Sequence, residues 1–141
     1  MVLFLLALIP AHATGQTRRA RFDPDGTFWI LGAPPNEFKD FSAINLNASR
    51  SRRLEQPGVR LTTGRPLRFK SLKVTRENFN FTTMPIGGVS YVFTGRFLKG
   101  GVYAASNLDE EMPVLQGLLI KHKMGKKVAE AQLKFTYFGG T

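Results

Sequence analysis

Cysteine is absent from the 141-residue sequence, which excludes disulfides, thiolate metal sites and cysteine nucleophiles. Acidic residues are scarce: ten stand against twenty lysines and arginines, for a formal net charge of +10. Histidine occurs twice and tryptophan once. The one long apolar run, Val2 to Pro10, has about half of the ~20 residues that a membrane-spanning helix needs. No segment is low in complexity and no internal repeat is evident.

What is present suits one packed domain. The hydrophobic fraction of 43% and twelve phenylalanines indicate a core rather than disorder. A chain of this size buries about two thirds of its unfolded surface, so it needs no covalent staple. The charge attracts polyanions: nucleic acid, lipopolysaccharide, anionic lipid or acidic polysaccharide. The plain alternative is a cationic, soluble surface with no dedicated partner.

Val2 to Pro10 reads VLFLLALIP and is followed by Ala11-His12-Ala13. A short apolar core and a small-x-small triplet make the pattern of a secretory signal peptide. Residues 1–13 are therefore expected to be removed on export to the periplasm or the exterior. Only Met1 precedes the apolar run, where a signal normally carries basic residues, as in one truncated at its start. The first thirteen residues contain no charge, so the exported chain keeps all of it. Residues 14–25 read as a flexible basic arm, and 26–141 as a single β domain.

Turn chemistry and period-two alternation mark out about eight strands. Asp23-Pro24-Asp25-Gly26 is a turn, and Thr27 to Leu31 a strand. Phe41 to Asn47 and Gly58 to Thr63 are the next two. Leu67 and Phe69 share one phase while Leu72 and Val74 share the other, which predicts a β-bulge near Lys70-Ser71. Asn78 to Met84 alternates, and Val89 to Leu98 places Val89, Tyr91, Phe93, Gly95 and Phe97 on one face. Val114 to Lys123 leads through a turn at Met124-Gly125-Lys126 into Val128 to Phe138. There Ala129, Ala131, Leu133, Phe135 and Tyr137 oppose Glu130, Gln132, Lys134 and Thr136. VAEAQL has helical propensity, but the period of two continues into FTYF and predicts a strand. Short links between sequential strands make an antiparallel meander, expected to close into an all-β barrel, with a two-sheet sandwich as the alternative. Gly95 and Gly117, inside strands, favour the bending that closure requires.

Three segments carry a resemblance. They are Gly26-Thr27-Phe28-Trp29, the glycine-centred strand Tyr91 to Phe97, and Val114-Leu115-Gln116-Gly117 leading to the C-terminal hairpin. Their order over residues 26 to 138 resembles small exported bacterial β-barrel proteins and, more distantly, lipocalin-like barrels. Two residues separate the glycine from the tryptophan here, where the lipocalin opening has one. The resemblance implies a closed barrel with an apolar interior.

Candidate chemistry is sparse. Beyond residue 13 the sole histidine is His122, between Lys121 and Lys123, and no catalytic set or cofactor motif accompanies it. Asp109-Glu110-Glu111 lacks the alternate spacing of a calcium loop and reads as a solvated acidic stretch. Asn47-Ala48-Ser49 and Asn80-Phe81-Thr82 match the glycosylation acceptor pattern, the second within a predicted strand. Two binding readings remain, both non-enzymatic. In the first, Trp29, Phe81, Tyr91, Phe93, Phe97, Phe135 and Tyr137 line an interior for an apolar or amphipathic small ligand. In the second, an anionic envelope polymer docks on Arg50, Arg52, Arg53, Arg60, Arg65 and Arg68, and on Lys121, Lys123, Lys126 and Lys127.

Overall fold

The computed structural model describes residues 24–46, 57–98 and 112–138. Their strands are β1 (Thr27–Ile30), β2 (Phe41–Asn45), β3 (Gly58–Leu61), β4 (Pro66–Val74), β5 (Asn78–Thr83), β6 (Val89–Phe97), β7 (Leu115–Lys123) and β8 (Lys126–Phe138). Each pairs antiparallel with the next, and β8 returns to β1 from Thr27↔Phe138 to Ile30↔Phe135. The meander is thus a closed barrel rather than a sandwich. One 3-10 turn, Asn36–Phe38, lies between β1 and β2.

Alternation sets the two faces. On β6, Tyr91, Phe93 and Phe97 are buried, while Thr94 and Arg96 are exposed. On β8, Leu133 and Phe135 are buried, and Glu130, Gln132 and Lys134 are exposed. VAEAQL is strand, because its alternating alanines and leucine register against β7 from Lys121↔Ala129 to Gly117↔Leu133. The register between β4 and β5 shifts between Phe69 and Ser71, which is the bulge that the change of phase predicts. Beyond it Val74 stands opposite Phe79 and packs on the core. Two more shifts have no counterpart in the alternation, one between Phe41 and Ala43 and one at Val128.

The β7–β8 connection is tighter than its sequence suggests. Met124 and Gly125 form a two-residue turn with φ of 53° and 78°, the all-positive pattern of a type I′ hairpin. Strand β8 accordingly begins at Lys126, not Val128.

An eight-stranded barrel is just wide enough for side chains to fill, and aromatic rings fill this one. Ring contacts run from mouth to mouth. Phe38 and Phe41 meet Tyr91 with centroids 6.4 and 5.3 Å apart, and Phe41 meets Phe135 at 6.4 Å. Phe135 meets Phe93 at 5.5 Å, Phe93 meets Phe79 at 5.8 Å and Phe79 stacks on Phe97 at 5.6 Å. Phe28 then joins Phe97 to Tyr137, at 6.0 and 5.5 Å. At the far mouth the Tyr137 hydroxyl donates to the Asp25 carbonyl at 2.6 Å. Asp25, expected at the end of a free arm, is therefore tied to the barrel.

Candidate functional site

The aromatic set divides between the two faces. Phe81, Tyr91, Phe93, Phe97 and Phe135 are all 6% exposed or less, and their rings touch one another or other core rings. Tyr137 is half-buried and packs on Phe28. Trp29 corrects the sequence reading, because it lies on the outside. Phe28 takes the inward phase of β1 at 0% exposure, and Trp29 takes the outward one at 36%. The Arg60 guanidinium lies 5.4 Å from its ring centroid. Trp29 and Arg60 both register against Ala43 and together cover it, leaving it 0% exposed. Their contact is a cation–π pair over a small residue, not part of a chamber.

The basic residues divide as well. Arg50, Arg52 and Arg53, with Asn47 and the acidic run 109–111, lie outside the described residues. Arg65 and Arg68 are exposed, as are Lys123, Lys126 and Lys127, and Lys127 pairs with Glu130. Lys121 departs from expectation. It shares the inward phase of Leu115 and Leu119, opposite Tyr91, and its ammonium donates to the Glu37 carbonyl at 3.1 Å. That bond ties the 3-10 turn across one mouth, so Lys121 holds the closure rather than the outer surface.

Cross-strand register assembles a further set. On the outer face Lys73, Asn80, Thr94, Leu118 and Gln132 stand opposite one another in a row over five strands. Beside it runs Asn78, Arg96, Gln116 and Lys134. Neighbouring strands are about 4.8 Å apart, which puts Arg96 and Lys134 roughly 10 Å from each other. Two open grooves cross these rows and share Thr94. One, of about 260 Å³, includes Ser71, Lys73, Asn80 and Thr82; the other, of about 480 Å³, includes Arg96, Gln116, Leu118 and Gln132. The Gln116 amide oxygen accepts from Arg96 Nε at 3.1 Å and Nη2 at 2.8 Å, since the reverse orientation would set donor against donor. This pins the guanidinium beside Gln116 at the groove. Asn80 Oδ1 accepts from the Gly95 amide at 3.4 Å, which ties the asparagine of the acceptor-like pattern into the sheet. From Pro57 to Leu98 there are seven basic residues and one acid, Glu77.

The surface offers hydroxyls, amides and cations, which suits hydrogen bonding to an anionic partner. Base stacking would need several exposed aromatic rings. Among the residues whose burial is described, Trp29 alone is an exposed aromatic. No helix of the described residues is long and apolar enough to cross a membrane. Nor do the described residues gather three His, Cys, Asp or Glu side chains that could hold a metal. His122 is half-buried on β7, opposite Lys127 and Ser90.

One interior group titrates abnormally. Burial, and then the negative charge of Asp40, push the Tyr91 phenol above its ordinary value of 10.0. The unfolded chain therefore gives up this proton first. Stability is full below pH 10 and falls as pH rises from there through the higher folded value, with a slope of at most about 1.4 kcal/mol per pH unit. Tyr91→Phe is expected to remove that component. Urea unfolding midpoints between about pH 9 and pH 11 check it, and an unchanged alkaline slope would count against it.

Comparison of the chain with protein-family models, with curated proteins and with solved structures yields no match.

Proposed function

We propose that the chain is an exported, non-enzymatic barrel that docks on an acidic polysaccharide through the outer face of β4 to β8. The observation that carries this reading is the pair of cross-strand rows uniting Lys73, Arg96 and Lys134 with Asn78, Asn80, Thr94, Gln116 and Gln132. Carboxylate or sulfate groups on a sugar polymer would meet the cations, and its hydroxyls the amides and Thr94. Arg65 and Arg68 extend the positive field at the β3–β4 end. Export rests on the apolar run Val2 to Pro10 with Ala11-His12-Ala13. The interior alternative, an apolar ligand among the core aromatics, has less in its favour, because those rings pack on each other.

Heparin, a sulfated uronate polymer, is the probe. The protein should be retained at low salt and released by about 1 M salt, where the Debye length is ~3 Å. Lys73→Gln/Arg96→Gln/Lys134→Gln should elute far earlier, and further ahead than a charge-matched Lys123→Gln/Lys126→Gln/Lys127→Gln control. No retention of the parent protein at low salt, or equal shifts for the two triple variants, would sink the reading.

A further inference from the structure

Large apolar side chains crowd the barrel mouth formed by the β5–β6 and β7–β8 turns. Met84 and Ile86 are 46% and 44% exposed, and Met124 is 78% exposed. The turns are joined, since the Met124 amide donates to the Gly88 carbonyl at 2.8 Å. Ile86 and Val89 exchange two backbone bonds of 3.0 Å each, which fixes Ile86 beside the Gly87-Gly88 tip of its turn. The Met84 amide is held by the Arg68 carbonyl at 2.8 Å. The apolar tips are therefore fixed side by side.

Met124 is the telling residue. Its φ of 53° lies in the left-handed region, where a side chain beyond Cβ is costly and Asn or Gly is the ordinary choice. The hairpin turn does not need methionine; the Met124 Sδ rests against Gly88 of the β5–β6 turn, in the space a Cβ there would fill, and yet 78% of the residue stays exposed. A strained, exposed apolar residue points to a contact outside the molecule.

Charge identifies that contact. Lys123 and Lys126 face each other across the hairpin, with Lys127 next in line, and all three are exposed. The two hairpins carry no acid from Asn78 to Leu98 or from Met112 to Ala129; Glu130 pairs with Lys127, and the 3-10 turn that Lys121 holds at this mouth brings Glu37 and Asp40 together with Lys39, so the lysines stay in excess. Apolar tips ringed by lysines match the layering of an anionic bilayer, with acyl chains beneath phosphates. Methionine is flexible and polarizable, and fills irregular apolar surroundings.

We propose that this mouth docks on an anionic lipid bilayer. Met84, Ile86 and Met124 enter the boundary between headgroups and acyl chains, and Lys123, Lys126 and Lys127 lie over the phosphates. The contact is separate from the outer-face rows that carry the polysaccharide reading.

Flotation with phosphatidylcholine vesicles, alone or with roughly one third phosphatidylglycerol, tests it. The protein should float with the anionic vesicles and not with the neutral ones. Ile86→Ser/Met124→Ser should weaken binding by about tenfold or more, and each of Lys123→Gln, Lys126→Gln and Lys127→Gln by about fivefold. Trp29 is the one tryptophan of the chain, so Trp29→Phe/Met124→Trp reports from the tip alone, and its emission should shift to the blue on vesicles. No binding to anionic vesicles, binding unaffected by Ile86→Ser/Met124→Ser, or unshifted emission would overturn the proposal. Heparin retention of Ile86→Ser/Met124→Ser should remain intact, and an unchanged urea unfolding midpoint shows that this variant folds. Loss of heparin binding by the parent protein with vesicle binding kept would remove the polysaccharide reading alone; the reverse would remove this one alone.

Discussion

Gly117→Ala is expected to lower the unfolding free energy by roughly 2–3 kcal/mol, and Gly117→Val by more. Gly95 and Gly117 face each other across β6 and β7, and the Phe93 ring folds over both. A Cβ on Gly117 would lie 2.5 Å from Gly95 Cα and 2.7 Å from Phe93 Cζ. One on Gly95 would lie 2.5 Å from Phe93 Cζ and 2.7 Å from the Gln116 carbonyl oxygen. Neither site has slack, because the backbone across the pair cannot retreat and Phe93 is wedged among Phe79, Phe81 and Phe135. The backbone overlap with the Thr94 carbonyl and Gly95 Cα stays whatever the ring does, but shrinking the ring should relieve its share, so Phe93→Leu and Gly117→Ala together should cost somewhat less than the sum of the two. Urea unfolding of the four proteins measures this. A loss below about 0.5 kcal/mol for Gly117→Ala, the range of an ordinary surface change, would mean that the ring does not depend on the glycines.

This pair shows how much the sequence conveys. Two glycines inside strands suggest sharp curvature, and the barrel is closed as expected. That they sit opposite one another under one ring depends on register, which is not written locally. The bulge near Lys70 was legible because a change of apolar phase within one strand has few other causes. Trp29 was misplaced for a physical reason: Phe28, Trp29 and Ile30 are all apolar, so a strand of four residues carries no alternation to read. Its face is set by partners far along the chain, Ala43 and Thr136. Lys121 was readable, since it keeps the inward phase of Leu115 and Leu119, but grouping by charge put it with its outward neighbours. The rows of Lys73, Arg96 and Lys134 could not be found from sequence, because they draw on separate strands and exist only once all the registers are fixed. Short β1 leaves part of the longer β8 without a β1 partner beyond the register that ends at Ile30↔Phe135. Charges at Lys126, Lys127 and Glu130, with the irregularity at Val128, are features that discourage a second chain from pairing there.

Phe79→Ala should cost about 3–5 kcal/mol, a large share of the 5–15 kcal/mol typical of a domain. Phe79 is 0% exposed and its ring meets Phe28, Phe81, Phe93 and Phe97, with centroids 5.6 to 5.9 Å apart. Removing it takes the middle out of the aromatic column and leaves a cavity walled by rings. An enclosed apolar space of that kind stays dry and accepts a small aromatic molecule. Benzene should therefore raise the melting temperature of Phe79→Ala by mass action, with about 2.7 kcal/mol regained at a hundredfold excess over Kd. The parent barrel, whose rings already occupy the space, should not respond. Phe79→Leu, with a smaller void, keeps the comparison open if the alanine variant is too unstable to handle. Thermal unfolding with and without benzene decides it. An equal shift for the parent protein would mean that the interior opens without mutation, and would return the apolar-ligand reading to first place. A shift confined to the variants would mean that packing alone separates this filled barrel from a ligand carrier.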